Sequence, residues 1–314
     1  MSYMKIRNLL VVRACAIGDF VFNLPALTVL ERTHSDTRFT LVGNASALEL
    51  AREFVAVKEI YSIESPPWSR LFYEPVSGLE FDSAMVWMKD ETIAGNLRLS
   101  GIPNVIRRDP FPPHGHAADH LLRTLNLDRP PLPDLWAPDS DDVVIHPGSG
   151  SPKKNWPYFE ELVDRLPNVV VLLGPSPSGR GRRGSRQADV PGEGHKFDED
   201  LKPSSFFEAS PFRARASRLR AASPRGRGML MLQNLCLPEV FHHLRRCRAY
   251  IGNDSGITHL AAYLGCPTIA LFGPTDPRVW GPIGRRARII WKSKLEDITV
   301  DEVVQSIRRG GTGR

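Results

Sequence analysis

The sequence has no run approaching the roughly 18 consecutive apolar residues of a membrane-spanning helix, which excludes a helical membrane protein. Cysteine is scarce. Cys15, Cys236, Cys247 and Cys266 have spacings that fit neither a zinc knuckle nor a disulfide framework, and they read as small buried side chains. No secretory leader is visible, because residues 1–7 pass directly into a strand, so the expected compartment is the cytosol. An Asp-x-Asp pair suited to holding a divalent ion beside a diphosphate is also missing. Charge of one sign is largely absent too, despite a formal net charge of +6. Between Arg180 and Arg227 stand ten Arg and two Lys against six Asp or Glu, and the remainder holds 29 basic and 29 acidic residues. The folded parts are therefore neutral, and a specific nucleic-acid partner is not expected.

What the chain does have is 314 residues with ordinary globular hydrophobicity, 41%, enough for two domains. Its organising stretch runs from Tyr250 to Asp276. It reads as a short strand, a polar loop with Gly252 and Gly256, a helix over 257–264 stopped by Gly265 and Pro267, a strand over 268–272, and a Gly-Pro loop. A strand entering a helix through such a loop presents unpaired backbone N–H groups that suit a phosphate. Asp254, Ser255, Thr258 and His259 add polar side chains beside them, although residues of this kind also simply cap helices. A second stretch of the same design follows an apolar strand at His146-Pro-Gly-Ser-Gly-Ser-Pro-Lys-Lys-Asn-Trp-Pro157.

Elsewhere, strands are expected over 8–13, 38–42, 57–63, 84–88 and 104–106, with helices over 20–33, 45–54 and 117–125. Pro25 lies near the start of the first helix or bends it. Residues 65–78 form an aromatic loop that either rims a cleft or packs on the surface. His116 and His120 share one helical face at the i, i+4 spacing of zinc ligands, yet no third ligand is evident and a polar helix start accounts for them better. After the Pro-rich stretch 127–142, read as a linker, the alternation restarts: strands over 143–145, 169–173 and 288–291, helices over 158–166, 238–247 and 300–308. Alternating strands and helices argue for parallel sheets covered on both faces. The Arg-, Gly-, Ser- and Pro-rich segment 176–228 lacks apolar periodicity and is expected to be poorly ordered.

Three pieces of this chain, taken in order, resemble glycosyltransferase family 9, whose best-known members are ADP-heptose:lipopolysaccharide heptosyltransferases. They are Val11-Val-Arg-Ala-Cys-Ala-Ile-Gly-Asp-Phe-Val-Phe-Asn-Leu-Pro-Ala-Leu27, the His146 to Pro157 stretch, and Gly252-Asn-Asp-Ser-Gly-Ile-Thr-His-Leu-Ala-Ala262 with Ala270-Leu-Phe-Gly-Pro-Thr275. The resemblance implies an α/β GT-B fold, two Rossmann-like domains facing across a cleft. On this reading 1–126 is the acceptor-side domain, 127–142 the linker, and 143–314 the nucleotide-sugar domain with 176–228 inserted.

It also implies transfer with inversion from an ADP-heptose-type donor to a lipid-linked, anionic oligosaccharide. That work belongs in the cytoplasm, with peripheral contact at the inner face of the membrane as a further expectation. Asp19 matches the family's proposed base, although a residue so placed also N-caps helices. Ser149, Lys153 and the loop amides of 148–151, together with the helix start at Ser255, Gly256 and Thr258, are expected to meet the charge of the departing diphosphate. Lys154 is the alternative to Lys153. Asp254 and His259 match the donor site. No cofactor or metal is expected. Where relatives carry an acidic donor-site residue after the strand ending at Leu173, this chain has the Arg-rich segment. Two other readings stay open: a GT-B nucleotide-sugar epimerase, and a decayed binding protein tethered to an anionic partner by that segment.

Overall fold

The computed structural model describes residues 6–173 and 229–310. The expectation of disorder for 176–228, and the tether built on it, lie outside the described residues. Two sheets organise the rest, and every strand pair in both is parallel. The first contains β1 (Asn8–Arg13), β2 (Arg38–Gly43), β3 (Val57–Ser62), β4 (Ser83–Trp87) and β5 (Asn104–Arg108) in the order β3-β2-β1-β4-β5. The second contains β6 (Val143–His146), β7 (Val169–Leu173), β8 (Met229–Gln233), β9 (Ala249–Asn253), β10 (Thr268–Phe272) and β11 (Ala287–Trp291) in the order β11-β10-β9-β6-β7-β8.

These orders place the reversal of winding between β1 and β4 in one sheet and between β6 and β9 in the other. Ligands of open parallel sheets sit beyond the carboxyl ends of the strands at such reversals. The loops after β1, β6 and β9 are therefore where a site belongs, and they are the loops singled out from the sequence.

Central strands read as unbroken apolar runs because both faces are covered. Leu9 and Val11 of β1 join Phe20, Leu24, Leu27 and Trp87, whereas Leu10 and Val12 join Ala84, Val86, Ile93 and Leu97 on the opposite face. Val143, Ile145, Ile251 and Leu271 pack against Phe159, Leu162, Val303 and Ile307 on one face of the second sheet. The other face, through Val144, Val170 and Tyr250, belongs to the same apolar cluster as the first lobe. Phe54 links the lobes, with its ring centroid 6.0 Å from Phe241 and 5.0 Å from Tyr263.

Several expectations change in detail. The helix expected over 20–33 is two helices, α1 (Ile17–Val21) and α2 (Leu24–Thr33), with Pro25 in the first turn of the second, where its missing N–H costs nothing. The stretch 45–54 begins as α3 (Ala45–Leu48) and tightens into a 3₁₀ turn, Glu49–Glu53. Three α-helices or strands, α4 (Thr92–Leu99), β8 and the short helix Pro277–Trp280, were not foreseen. In the aromatic loop, Trp68 and Leu71 are buried against the first sheet while Tyr73 stands exposed.

The Pro-rich stretch after α5 (Ala117–Arg123), ahead of α6 (Phe159–Arg165) and α7 (Leu237–Arg246), is strapped to the second lobe rather than free. Leu135 N–H donates to Leu264 O at 2.8 Å, Ala137 N–H to Arg245 O at 2.9 Å, and the Trp136 indole to Cys247 O at 2.8 Å. Arg286 forks onto both oxygens of Asp134, at 2.7 and 3.0 Å.

Candidate active site between the lobes

β1 ends at Arg13, and Ala16, in extended backbone conformation, is the N-cap of α1. Asp19 is thus the third residue of α1, a first-turn acid rather than the cap, and it is half-buried. The turn that carries it lies against α8 (Gly256–Tyr263) of the other lobe. A methyl group on Gly18 would stand 2.9 Å from His259 Cδ2, and one on Gly256 would stand 2.8 Å from Ile17 Cβ. Two glycines back to back let the first turns of α1 and α8 meet, which any side chain would prevent.

On the second lobe, β6 delivers His146, whose buried Nδ1–H donates to Leu172 O at 3.0 Å. Burial pushes its imidazole below the ordinary range, so the ring is neutral. The loop that follows is stitched internally. The Ser149 hydroxyl shares its proton between Ser151 O at 2.6 Å and Asn155 Oδ1 at 2.7 Å, so it shapes the loop. Asn253, at the end of β9, clamps both ends of that loop: its Nδ2 donates to Pro147 O at 2.8 Å, and its Oδ1 accepts from Trp156 N–H at 2.9 Å.

At the start of α8, Ser255 is the N-cap and accepts from Thr258 N–H at 3.4 Å. Thr258 Oγ1 donates to Asn253 O at 2.5 Å, so its lone pairs take the protons of Tyr250 Oη at 3.0 Å and Ser255 Oγ at 3.1 Å. Thr258 is fully buried and belongs to the wall of the site, not its surface. With the third amide capped, those of Gly256 and Ile257 are the ones the helix cannot satisfy itself.

Asp254 and His259 lie together, both buried. Asp254 Oδ2 accepts from Lys154 Nζ at 2.6 Å, and its Oδ1 is 3.5 Å from His259 Nε2. Burial works to raise the Asp254 carboxyl, but the His259 and Lys154 hydrogen bonds outweigh it and hold the group down, at about 2. His259 Nδ1 is buried without a partner among the described residues, and the ring meets the edge of Phe22 with centroids 4.9 Å apart. Lys153, the residue expected to face a diphosphate, is exposed, and the structure brings its neighbour Lys154 into the cluster instead. A Lys-Lys dipeptide marks the position without choosing between its two members.

The proton linkage of Asp254 has a definite sign. Its pKa falls from 3.8 to about 2 on folding, so it adds stability above pH 3.8 that disappears as pH falls through about 2. At roughly 1.4 kcal/mol per unit this is about 2 kcal/mol. Urea titrations from pH 5 to 2 are expected to show this loss in the wild type and its absence in Asp254→Asn. Parallel curves would show that the pair carries no such linkage.

His116 and His120 are engaged without a metal: His116 Nε2 lies 2.8 Å from Gly281 O, and His120 Nε2 2.8 Å from Asp109 O. Among the described residues no group of three His, Cys, Asp or Glu side chains is arranged to hold a metal ion, and no helix is long and apolar enough to cross a membrane.

Two parallel α/β lobes whose strand-reversal loops confront each other define the GT-B class of glycosyltransferases. The architecture is shared with solved heptosyltransferases. E. coli heptosyltransferase WaaC with ADP superposes with a TM-score of 0.68 at 18% identity, covering 97% of this chain and all (100%) of that one. E. coli ADP-heptose lps heptosyltransferase II gives 0.69 at 18% identity over 96% and 98% of the two chains. In sequence, residues 208–305 match the model of glycosyltransferase family 9 (heptosyltransferase). Lipopolysaccharide heptosyltransferase 1 of Pseudomonas aeruginosa is 24% identical over 88% of this chain and 82% of its own length. The chain is therefore similar to the heptosyltransferases of glycosyltransferase family 9, and these relatives support glycosyl transfer as its activity. Neither the epimerase nor the tethered-binder reading is favoured by these relatives.

Proposed function

We propose that this chain transfers a heptose, with inversion, from an ADP-heptose-type donor to a lipid-linked, anionic core oligosaccharide at the inner face of the cytoplasmic membrane. The observation that carries the reading is the meeting of the Asp19 turn with the donor loops, Gly18 against His259 and Ile17 against Gly256. The relatives include a lipopolysaccharide heptosyltransferase and a heptosyltransferase solved with ADP, which supports the choice of donor and acceptor class.

In this reading the first lobe presents the acceptor and the second lobe holds the nucleotide. Asp19 takes the proton of an acceptor hydroxyl as its oxygen attacks the anomeric carbon, help typically worth about 10²–10⁴ in rate. The bond from that carbon to the diphosphate oxygen breaks on the opposite face, and its electron pair leaves with ADP. The growing charge meets the Gly256 and Ile257 amides at the start of α8, the amides of 148–151, and the Lys154 and His259 side chains. Lys153 is then a peripheral cation. Asp254 acts through its partners by holding Lys154 and His259 in place. This set of donors supplies the positive character that a divalent ion provides elsewhere, so we assign a metal-independent course with no cofactor.

Calorimetric titration with ADP-, UDP- and GDP-sugars, followed by transfer assayed by mass spectrometry, tests the proposal. Saturable binding of the ADP-sugar and an acceptor heavier by one heptose are expected. Selective binding of a UDP- or GDP-sugar would overturn the donor assignment. A sugar altered without any acceptor would point to an epimerase.

A further inference from the structure

His116 serves the proposed site in a way that neither its metal-like spacing nor its place at a helix start suggests. It sits on the first lobe as the N-cap of α5, and its Nδ1 accepts from Ala118 N–H at 3.2 Å. Its Nε2 lies 2.8 Å from Gly281 O, which belongs to the second lobe and closes α9 (Pro277–Trp280). A carbonyl oxygen only accepts, so Nε2 carries the proton and Nδ1 is the bare acceptor, which is one neutral tautomer. Burial favours that neutral form, holding the group below the ordinary histidine range. The hydrogen bond to Gly281 O and the nearby Asp119 work in the opposite sense but do not outweigh burial.

The ring also begins a chain of aromatic contacts into the donor loop. Phe22 of the first lobe meets the His116 ring edge-on, with centroids 5.4 Å apart and planes at 88°. On its other sides Phe22 meets His259 at 4.9 Å and Trp280 at 6.2 Å. One imidazole therefore caps a helix of the acceptor-side lobe, grips the turn after α9 of the nucleotide-side lobe, and backs the ring that packs on His259.

We propose that His116 is a positioning residue, an interlobe latch that holds the 277–281 turn and the Phe22–His259 contact in register with the Asp19 turn. The role rests on the transferase reading above. It belongs to the alignment of the two lobes and not to nucleotide binding, because the partners of His116 at this junction are the Ala118 amide, the Gly281 carbonyl and the Phe22 ring. An imidazole is needed since it accepts at one end and donates about two bonds further out. Asparagine can replace the cap, being among the best N-cap residues, but its amide is too short to reach Gly281 as well.

That difference supplies the test. His116→Asn and His116→Ala are compared with wild type by hydrogen exchange of the 277–283 peptide, thermal melting, ADP titration calorimetry and steady-state transfer kinetics. In both variants the 277–283 amides are expected to exchange about tenfold faster. Turnover is expected to fall about tenfold to a hundredfold through misalignment, with ADP affinity within about twofold. His116→Asn is expected to keep the wild-type melting temperature within about 2 °C. Wild-type exchange and turnover in His116→Asn would assign the residue to capping alone and overturn the latch. The exchange measurement needs no substrate, so it decides the latch even if the wild type transfers no sugar and the functional proposal fails.

Discussion

Replacing Asp19 by asparagine is expected to slow sugar transfer about 10²–10⁴-fold while leaving the ADP dissociation constant within about twofold. Among the described residues the carboxylate makes no hydrogen bond or ion pair, and Ala16 rather than Asp19 occupies the N-cap. Stability should therefore move by no more than about 0.5 kcal/mol, as for surface substitutions away from structural features. Asparagine has the same shape and cannot accept the proton, so lost rate with retained folding and nucleotide binding isolates proton removal from positioning. Single-turnover kinetics with saturating acceptor, alongside calorimetry with ADP, separate the two. A variant that keeps wild-type turnover would remove Asp19 from the chemistry. One that loses ADP binding would make it a donor-site residue.

Much of this arrangement could be read from the chain alone, and the reasons are local. The strands carrying the site are buried on both faces, so they announce themselves as apolar runs ending in Gly-, Ser- and Asp-rich loops. Two such loops after β6 and β9 come from strands that are neighbours in the sheet, which is why motifs about a hundred residues apart in sequence share one surface. What stayed hidden depended on orientation or on partners far along the chain. β8 was missed because Leu230 and Gln233 are exposed and the strand follows the Arg-rich segment, so no run of buried residues marks it. The Pro-rich stretch reads as a linker by composition, yet its docking depends on Arg245, Cys247, Leu264 and Arg286, each more than a hundred residues away. Thr258 looks like a donor-site hydroxyl until Tyr250 and Asn253 are seen to consume it. His116 differs again, since its second partner is a backbone carbonyl, which leaves no mark in a sequence.

The choice between Lys153 and Lys154 turns on the 3₁₀ turn Pro152–Lys154, which rotates successive side chains by about 120° and so sends two adjacent lysines in different directions. Lys154 reaches Asp254 at 2.6 Å; the Asp254 side chain is 8% exposed and that of Lys154 32%. Among the described residues, Lys154→Met would leave that carboxylate with His259 alone, 3.5 Å away. Removing one partner of a buried pair costs about 3–5 kcal/mol, and the partial exposure of Lys154 puts the expected loss near the lower figure, about 3 kcal/mol. Lys153→Met, on an exposed side chain, should change stability by less than about 0.5 kcal/mol. Removing both charges together, in Lys154→Met/Asp254→Asn, is expected to recover most of the loss, since the penalty belongs to the stranded carboxylate rather than to the missing bond. Urea unfolding of the four proteins at neutral pH checks the set, and ADP calorimetry on each shows whether the lysine that anchors Asp254 is also the one that meets the diphosphate. A double variant as unstable as Lys154→Met would mean that the lysine stem packs the loop and its charge is incidental. A loss of ADP affinity confined to Lys153→Met would move the diphosphate contact to the exposed lysine and leave Lys154 as an anchor for Asp254.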